Sequence, residues 1–439
     1  MMRIPGDIDR LRVVFDEESL VADAGLLVAG TLIKRLGLER LLDGTVRMAG
    51  REGGARPGRK VLSVVASMLL GGSHIDHADR LRAGSVRRVL PFRVMAPSTL
   101  GTFLRSFTWG HVRQLDKALC ETLRRFWHVS GDSRDDPVTI DVDGTICEVA
   151  GKTKAGAAYG YTKQLGYHPL VAAISETGEI VHSRLRGGSS RKGHAHFVVE
   201  AVNRVRRAGA TGPVTVRADS EFWSYRLIAV LDRLGVNWSI TIPQYRQVRE
   251  AIAHIAEEGW EPIGYTDDGQ AQVAETSLCA SAKGNYRRVR VVVRRTRLTD
   301  PTQATLWPDW RYHVFATSTE LPPVEADAHH RAHARVELAI RDIKAHGGLS
   351  HCPSGSFFAN AAWLACATLA HNLYRWTEHH TRPQGQLTNG NTVRTRLFRV
   401  PGRIVNHAGK PILRLPARWP WANTYHTTLA NLRSLPQFC

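Results

Sequence analysis

Three acidic residues in separate parts of the chain are of the type that binds hard divalent cations. Asp143 lies in the run VTIDVDGT, Asp219 in VTVRADS, and Glu337 in ARVELAIRDIK. The first two follow alternating, strand-like patterns, and the third lies in a run with helical periodicity. Carboxylates brought together from two strands and a helix can hold two divalent metal ions. Such a site can cut and join phosphodiester bonds, so we predict that these three residues are catalytic and bind the metal.

The first strand offers two candidate carboxylates. Asp141 and Asp143 lie on the same face because side chains alternate with a period of two along a strand. Only one of them need be a primary ligand. Asp143 is closer to the end of the strand, where sites open, and is therefore the predicted ligand, while Asp141 remains the alternative.

A stripe of polar residues accompanies Glu337 on its predicted helix. Lys344 follows it by nearly two turns, and His333 and His330 precede it by one and two turns. These four side chains are predicted to share one face. A stripe of this kind, turned towards the two aspartates, would suit metal ions and a phosphate, and we assign Lys344, His333 and His330 to phosphate binding.

The composition favours a polyanionic partner. The net charge is +19 with 23% charged and 43% hydrophobic residues, which is compatible with large cores and a nucleic-acid partner. The alternative is a basic protein with no such partner. The six cysteines form no Cys-x-x-Cys pair, which argues against a zinc ribbon or disulfide framework. No apolar run approaches the length of a membrane span, so we expect a cytoplasmic protein with no membrane partner.

The central stretch predicts an α/β fold. Its elements follow the order βββαβαβ, which is that of a ribonuclease H-like catalytic core. The predicted strands are 138–143, 167–174, 179–185, 214–218 and 237–242, and the predicted helices are 193–207 and 221–234, the second capped by Ser220.

Four regions follow from this pattern. The core comprises 131–245 and 320–380, including a helix over roughly 324–346 and a buried one over 357–377. A β-rich insertion occupies 246–319, and a basic arm with a short helix occupies 381–439. Residues 1–130 are predicted to form a helical N-terminal domain with many arginines. It is either a helix-turn-helix-like DNA-binding module or a dimerisation and support domain.

Several strings in the chain resemble bacterial insertion-sequence DDE transposases, in the cut-and-paste branch with a β-rich insertion before the catalytic Glu. The strings are DVDGT (141–145), YGYTKQLGYHPL (159–170), RADSEFWS (217–224), Glu337 with Lys344, and VPGR (400–403). The resemblance covers about 10–433. It implies that Asp143, Asp219 and Glu337 are the DDE triad.

The resemblance also implies partners and cofactors. Two Mg²⁺ (or Mn²⁺) ions would support cleavage of double-stranded DNA at the element ends, followed by strand transfer into target DNA, through a hairpin intermediate. Synapsis of two ends implies a homodimer. The alternatives are a nuclease or resolvase of the same fold that cuts without joining, and an inactive DNA-binding descendant.

The chain departs from the family pattern at three places. The family's helix carries Tyr and Arg before the Glu, whereas His330 and His333 stand there. Arg331 or Arg335 could substitute for the missing Arg, although a regular helix would turn both away from Glu337. Glu221 stands where a small residue is usual.

Two further features have open interpretations. Trp307 and Trp310 lie in the insertion, where a tryptophan can stack on a base near the cut in related enzymes, or simply pack in the β-structure. The run 187–193, GGSSRKG, lacks the Gly-Lys-Ser/Thr of a P-loop and reads as a strand-to-helix connection. The alternative interpretation is that Arg191 or Lys192 contacts DNA.

Overall fold

The protein is a mixed α/β molecule built around one large sheet. The computed structural model describes residues 9, 11–160, 162–264, 269–282, 285–298, 310–379, 381 and 386–438. In that part of the chain, no helix combines the length and apolarity that crossing a membrane would require.

Thirteen α-helices occur in the described residues, together with short 3₁₀ segments and one π-helical turn over Arg394–Phe398. The α-helices are α1 (Leu26–Arg35), α2 (Leu38–Thr45), α3 (Pro57–Leu69), α4 (Pro97–Arg105), α5 (Trp109–Ser130), α6 (His194–Ala208), α7 (Tyr225–Arg233), α8 (Arg246–Ala253), α9 (Pro323–Arg331), α10 (Arg335–Ala345), α11 (Phe357–Thr377), α12 (Gly390–Val393) and α13 (Ala422–Ser434).

Fifteen strands occur in the same residues. They are β1 (Leu20–Val21), β2 (Val138–Gly144), β3 (Cys147–Glu148), β4 (Ala158–Tyr159), β5 (Leu165–Tyr167), β6 (Leu170–Ile174), β7 (Ile180–Arg184), β8 (Val214–Ala218), β9 (Asn237–Thr241), β10 (Glu261–Ile263), β11 (Gly269–Ala282), β12 (Asn285–Leu298), β13 (Arg311–Thr317), β14 (Gly402–His407) and β15 (Lys410–Arg414).

The main sheet has nine strands in the order β10-β11-β12-β13-β9-β8-β2-β6-β7. β2 runs parallel to β8, and β8 parallel to β9, while β6 and β7 are antiparallel additions on the other side of β2. Helices α6 and α7 make the crossovers that parallel pairing requires. β2 therefore lies inside the sheet with a parallel neighbour on one side and an antiparallel neighbour on the other.

The β-rich insertion continues this sheet. β13 pairs with β9, and β12 pairs with β11 along a register of fourteen residue pairs. The sequence pattern predicted a β-rich insertion over 246–319 but not the helix α8 at its start. Strand β11 carries Gln, Thr, Ser and Cys among its apolar residues, so its alternation is weak, and the strong pairing with β12 decides its structure.

Two predicted elements of the core are divided differently. The predicted strand 167–174 is interrupted at His168 and Pro169, so β5 and β6 belong to different sheets. The predicted helix 221–234 is a 3₁₀ turn followed by α7, and its N-cap is Ser224, whose side chain accepts from the Leu227 N–H, rather than Ser220.

Helix α11 links the core to the helical N-terminal part. It is buried from Ala359 to Thr377 and packs against β7 and α10 as well as α1, α3, α4 and α5. A helix that is apolar on all sides is stable only when neighbours surround it. The N-terminal helices therefore share a hydrophobic core with the sheet.

A candidate active site at the ends of two parallel strands

Asp143 and Asp219 meet at one edge of the sheet. Val142 of β2 is the register partner of Ala218 of β8, and each aspartate is the next residue in its strand direction. Because the two strands are parallel, their carboxyl ends lie at the same edge. The fold thus places two carboxylates that are distant in the sequence next to each other, as the sequence pattern predicted.

Burial and neighbouring carboxylates destabilise the charged form of both aspartates. Burial first, and then the negative charges of Asp219, Glu221 and Glu337, raise the pKa of Asp143 to about 7, although a hydrogen bond of 2.6 Å from the Gly144 N–H opposes the shift. Burial and the charge of Glu221 likewise raise the pKa of Asp219. Carboxylates therefore predominate around the pair, although His333 and His194 lower the pKa of Asp219 in part, and a bound cation would relieve the repulsion.

Asp141 has a different environment on the same strand. Its side chain is fully buried, and it accepts hydrogen bonds of 2.7 and 2.9 Å from Nε and Nη2 of Arg217. The Arg217 Nη2 also donates to the Ser175 hydroxyl at 2.6 Å. Both carboxylate oxygens of Asp141 are therefore occupied by an internal ion pair, which supports Asp143 over Asp141 as the metal ligand.

The helix that carries Glu337 is interrupted. The sequence predicted one helix over roughly 324–346, but a 3₁₀ turn over Ala332–Ala334 separates α9 from α10. The His333 Nε2 lies 3.2 Å from the Val142 carbonyl oxygen and holds this turn against β2. A 3₁₀ turn changes the angular position of the residues before it relative to those after it. The predicted stripe of four residues on one face therefore does not hold across the break.

Glu337 lies in the first turn of α10, which packs against β2 and β6. Its side chain is exposed, yet its charge contributes to the raised pKa of Asp143. The helix therefore presents Glu337 at the same edge of the sheet as the two aspartates.

His330, the first residue of the predicted stripe, lies in the core. His330 is 3% exposed, stacks on Phe315 and hydrogen-bonds to Ser239 and Thr241, so it belongs to the core rather than to a phosphate-binding surface. Burial lowers its pKa well below the usual value, which keeps the ring neutral.

Lys344 and Arg331 are both engaged with the protein. The Lys344 Nζ donates to the Ile146 carbonyl oxygen at 2.9 Å, directly after the segment that carries Asp143. The Arg331 Nε donates to Asp327 at 2.8 Å, one turn earlier on α9. Lys344 is thus near the aspartates, whereas Arg331 is held by a carboxylate of its own helix.

The predicted tryptophans of the insertion are only partly described. Trp307 lies outside the described residues. The Trp310 ring lies 4.6 Å from the guanidinium of Arg295 and 5.0 Å from that of Arg297. Such contacts are cation–π interactions, and they place Trp310 within an arginine-rich part of the hairpin.

Glu221 is a member of the site that the sequence marked only as unusual. Its carboxylate accepts from Arg186 Nη2 at 3.0 Å and lies 2.9 Å from His194 Nε2, while its backbone N–H donates to Asp219 at 3.0 Å. These partners hold the pKa of Glu221 at about 2, against the effect of burial. The spacing of two residues from Asp219 was the available signal, but Arg186 and His194 lie too far away in the sequence to reveal the network.

The donor chemistry of the site fits a hard divalent cation in part. Asp143 and Asp219 supply carboxylate oxygens, the ligand type that Mg²⁺ and Mn²⁺ prefer. Across the described ranges, no three His, Cys, Asp or Glu side chains converge closely enough to enclose a metal ion. The aspartate pair is therefore in place as donors, and Glu337 lies nearby without completing a closed set of three ligands.

Comparison with known proteins gives a family. Residues 5–437 match the model of the family described as "Transposase DDE domain group 1". A search of curated protein sequences found no match. Among solved structures, the chain is similar to that described as "Cryo-EM structure of piggyBac transposase synaptic complex with hairpin DNA (SNHP)", with 11% identity, a TM-score of 0.46, and coverage of 85% of this chain and 79% of that one.

The family model spans nearly the whole chain, including all three predicted catalytic acids. DDE transposases generally use divalent metal ions and act on DNA. The prediction of a DNA transposase is confirmed at this level, and the chain belongs to the DDE transposase family, group 1.

Proposed function

We propose that Asp143, Asp219 and Glu337 are the catalytic triad of this transposase. The observation that carries the proposal is the placement of Asp143 and Asp219 at the ends of adjacent parallel strands, with the pKa of both raised by burial and by neighbouring carboxylates. The strand order and directions around β2 support a ribonuclease H-like core. The β-rich insertion, the N-terminal helices and the C-terminal arm would serve DNA binding or dimerisation.

The three carboxylates would hold two Mg²⁺ (or Mn²⁺) ions at the edge of the sheet. When bound, such ions activate the attacking oxygen and stabilise the leaving oxygen. The protein's own contribution is to keep Asp143 and Asp219 at fixed positions on rigid strands, to present Glu337 from α10, and to secure the β2 end through the contact of Lys344 with Ile146. Lys344 is the candidate phosphate contact near this edge, whereas the His333 ring is held by the Val142 carbonyl oxygen.

The substrate would be double-stranded DNA, first at the ends of a bacterial insertion sequence and then at the target. The net charge of +19 supports binding over many phosphates. Pairing of two element ends requires at least a homodimer, and the expected site of action is the cytoplasm. DNA flanking the gene supplies the test substrate, because an insertion sequence carries inverted repeats just outside its transposase gene.

The test compares cutting with binding. Asp143→Asn, Asp219→Asn and Glu337→Gln each remove a metal-binding charge while keeping the side-chain shape. Each should abolish nicking of the flanking DNA while a mobility-shift assay shows unchanged binding. A variant that still nicks the DNA removes that residue from the triad.

A strand-transfer assay separates the transposase from a nuclease or resolvase of the same fold. The transposase joins the freed 3′ end to a target duplex, whereas a nuclease or resolvase releases cut ends only. The replacement of the family's Arg by His333 also makes nicking by the unaltered chain a necessary measurement, because an inactive DNA-binding descendant would bind without cutting.

A further inference from the structure

A cavity of about 570 Å³ opens beside Asp219. Its wall includes Tyr159, Gly160, Arg191 and His194, together with the backbone of Gly188. This volume lies in the range of pockets that hold small organic ligands. Because Asp219 itself lines the cavity, anything seated there lies next to the proposed catalytic carboxylates.

The loop that forms one side of the cavity is held in a fixed conformation. The Gly188 N–H donates to the Gly156 carbonyl oxygen at 3.2 Å, and the Ser190 N–H donates to that of Gly187 at 3.0 Å. A Cβ atom at Gly188 would lie 2.2 Å from the carbonyl oxygens of both Ala158 and Gly166. Only glycine fits there, so the loop 187–193 is packed against the β4–β5 hairpin and presents its polar groups in a set arrangement.

The charges that line the cavity are of both signs, since Asp219 is negative and Arg191 is positive. The carboxylate of Glu221 lies in the wall, but Arg186 and His194 compensate it. Arg191 and Lys192 are exposed, and within the described ranges neither has an ion-pair partner. The loop also leads into α6, a helix of fifteen residues that begins at His194, so the helix dipole adds to the positive potential.

We propose that this cavity is a subsite for one nucleotide of the DNA strand, adjacent to the reacting phosphodiester, and that the loop 187–193 holds its phosphate through Arg191. The inference rests on the proposed function and assigns it a specific contact. The Ser189 and Ser190 hydroxyls and the loop backbone supply hydrogen-bond donors of the kind that bind phosphate oxygens. Tyr159, which is 61% exposed, also lines the cavity.

The test measures coupling between one side chain and one phosphate. A duplex from the DNA flanking the gene is prepared as a series, each member with one neutral methylphosphonate in place of a phosphate near the cleavage point. Equilibrium binding to the protein is measured with Ca²⁺ present, so that cleavage is not needed. Neutralising the contacted phosphate should weaken binding by the unaltered protein about tenfold, as loss of a charge-assisted contact would.

The same methylphosphonate should weaken DNA binding by the Arg191→Ala variant less than about twofold, because this variant already lacks the contact. Arg191→Lys, which keeps the charge but loses the paired donors, should give an intermediate effect. Arg207→Ala is the matched control, since Arg207 is exposed near the other end of α6. Its profile across the series should follow that of the unaltered protein.

The outcomes are distinguishable. If the unaltered protein binds the duplex and no phosphate couples to Arg191, the subsite is wrong and the proposed function stands. If Arg207→Ala shows the same loss of coupling as Arg191→Ala, the effect is general charge and the subsite is also wrong. If the unaltered protein does not bind the duplex at all, the proposed function fails and the subsite fails with it.

Discussion

Asp141 and Asp143 lie two residues apart on one strand, but their side chains have opposite electrostatic environments. Asp141 is fully buried and paired with Arg217, which neutralises its charge inside the protein. Asp143 is near Asp219, Glu221 and Glu337, and burial and these charges raise its pKa. The first pair is internally complete, whereas the second has an excess of negative charge. The difference separates a carboxylate that stabilises the fold from one that is available to a cation.

The largest expected effect concerns catalysis by these two residues. Asp143→Asn should lower the rate of nicking by about a thousandfold or more, because a charged oxygen donor to the metal is lost. Asp141→Asn should act mainly on stability and leave measurable nicking in the protein that remains folded. Single-turnover nicking, corrected for the folded fraction, gives the comparison. Loss of nicking in Asp141→Asn alone would reverse the assignment of the first ligand.

Removing the partner of Asp141 should have the largest effect on stability. Arg217→Met keeps much of the side-chain volume but leaves a buried carboxylate without a cation. A broken buried ion pair of this kind costs about 3–5 kcal/mol of the free energy of unfolding. Urea denaturation measures the loss, and the double variant with Asp141→Asn should recover part of it. Equal stability of Arg217→Met and the unaltered protein would show that Asp141 does not need its ion pair.

The strands that carry the two aspartates could be predicted from the sequence, whereas the break in the helix that carries Glu337 could not. Alternation of apolar residues marked β2 and β8, and the position of Asp143 and Asp219 at the strand ends followed from it. The break at Ala332–Ala334 could not be predicted, because Ala, His and Arg are all compatible with a continuous helix. It depends on the contact of His333 with Val142, which joins residues far apart in the chain.

The N-cap of α7 and the ion pairs of Glu221 likewise could not be predicted from local sequence. Ser220 and Ser224 are equally good N-cap residues from the sequence, and the extended backbone of Ser224 decides between them. The compensation of Glu221 by Arg186 and His194 depends on how the loop before α6 meets the end of β8. Local patterns therefore predicted the strands that carry the aspartates, while contacts between distant segments determine the charge state around them.

The raised pKa of Asp143 should make the stability of the protein depend on pH. The pKa of Asp143 is about 7 in the folded protein, above the value of about 4 for an unfolded aspartate. Between these values the folded state keeps a proton that the unfolded state has released, so the free energy of unfolding falls as the pH rises and the loss is complete above pH 7.

The measurement is urea denaturation without divalent ions, at pH 5 and pH 8. The unaltered protein should lose about 1–3 kcal/mol more than Asp143→Asn over this range. Asp143→Asn removes the titrating group and so supplies the reference for all other ionisations. Parallel behaviour of the two proteins would show that Asp143 has an ordinary pKa in the folded state.

The smallest expected effect concerns His333, which stands where the family carries Arg. Its ring contacts the backbone of β2 in this structure. His333→Ala should therefore reduce the free energy of unfolding by about 0.5–1.5 kcal/mol, as for a single hydrogen bond. It should leave the salt dependence of DNA binding unchanged. A slope of log affinity against log salt that falls by about 1 would instead identify His333 as a phosphate contact.

The pairing of β1 with β14 has a consequence for how the chain folds during synthesis. Backbone hydrogen bonds join Ser19 to Ile404, Ala24 to Val400, and Arg35 to Phe438. At about 5–20 residues per second, the ribosome takes roughly 20 to 80 s to make the chain between β1 and β14. During that interval β1 and the start of α1 are without these backbone partners. The nascent N-terminal segment therefore depends on partners in 400–438, and this layer of the protein can close only after the ribosome has made them.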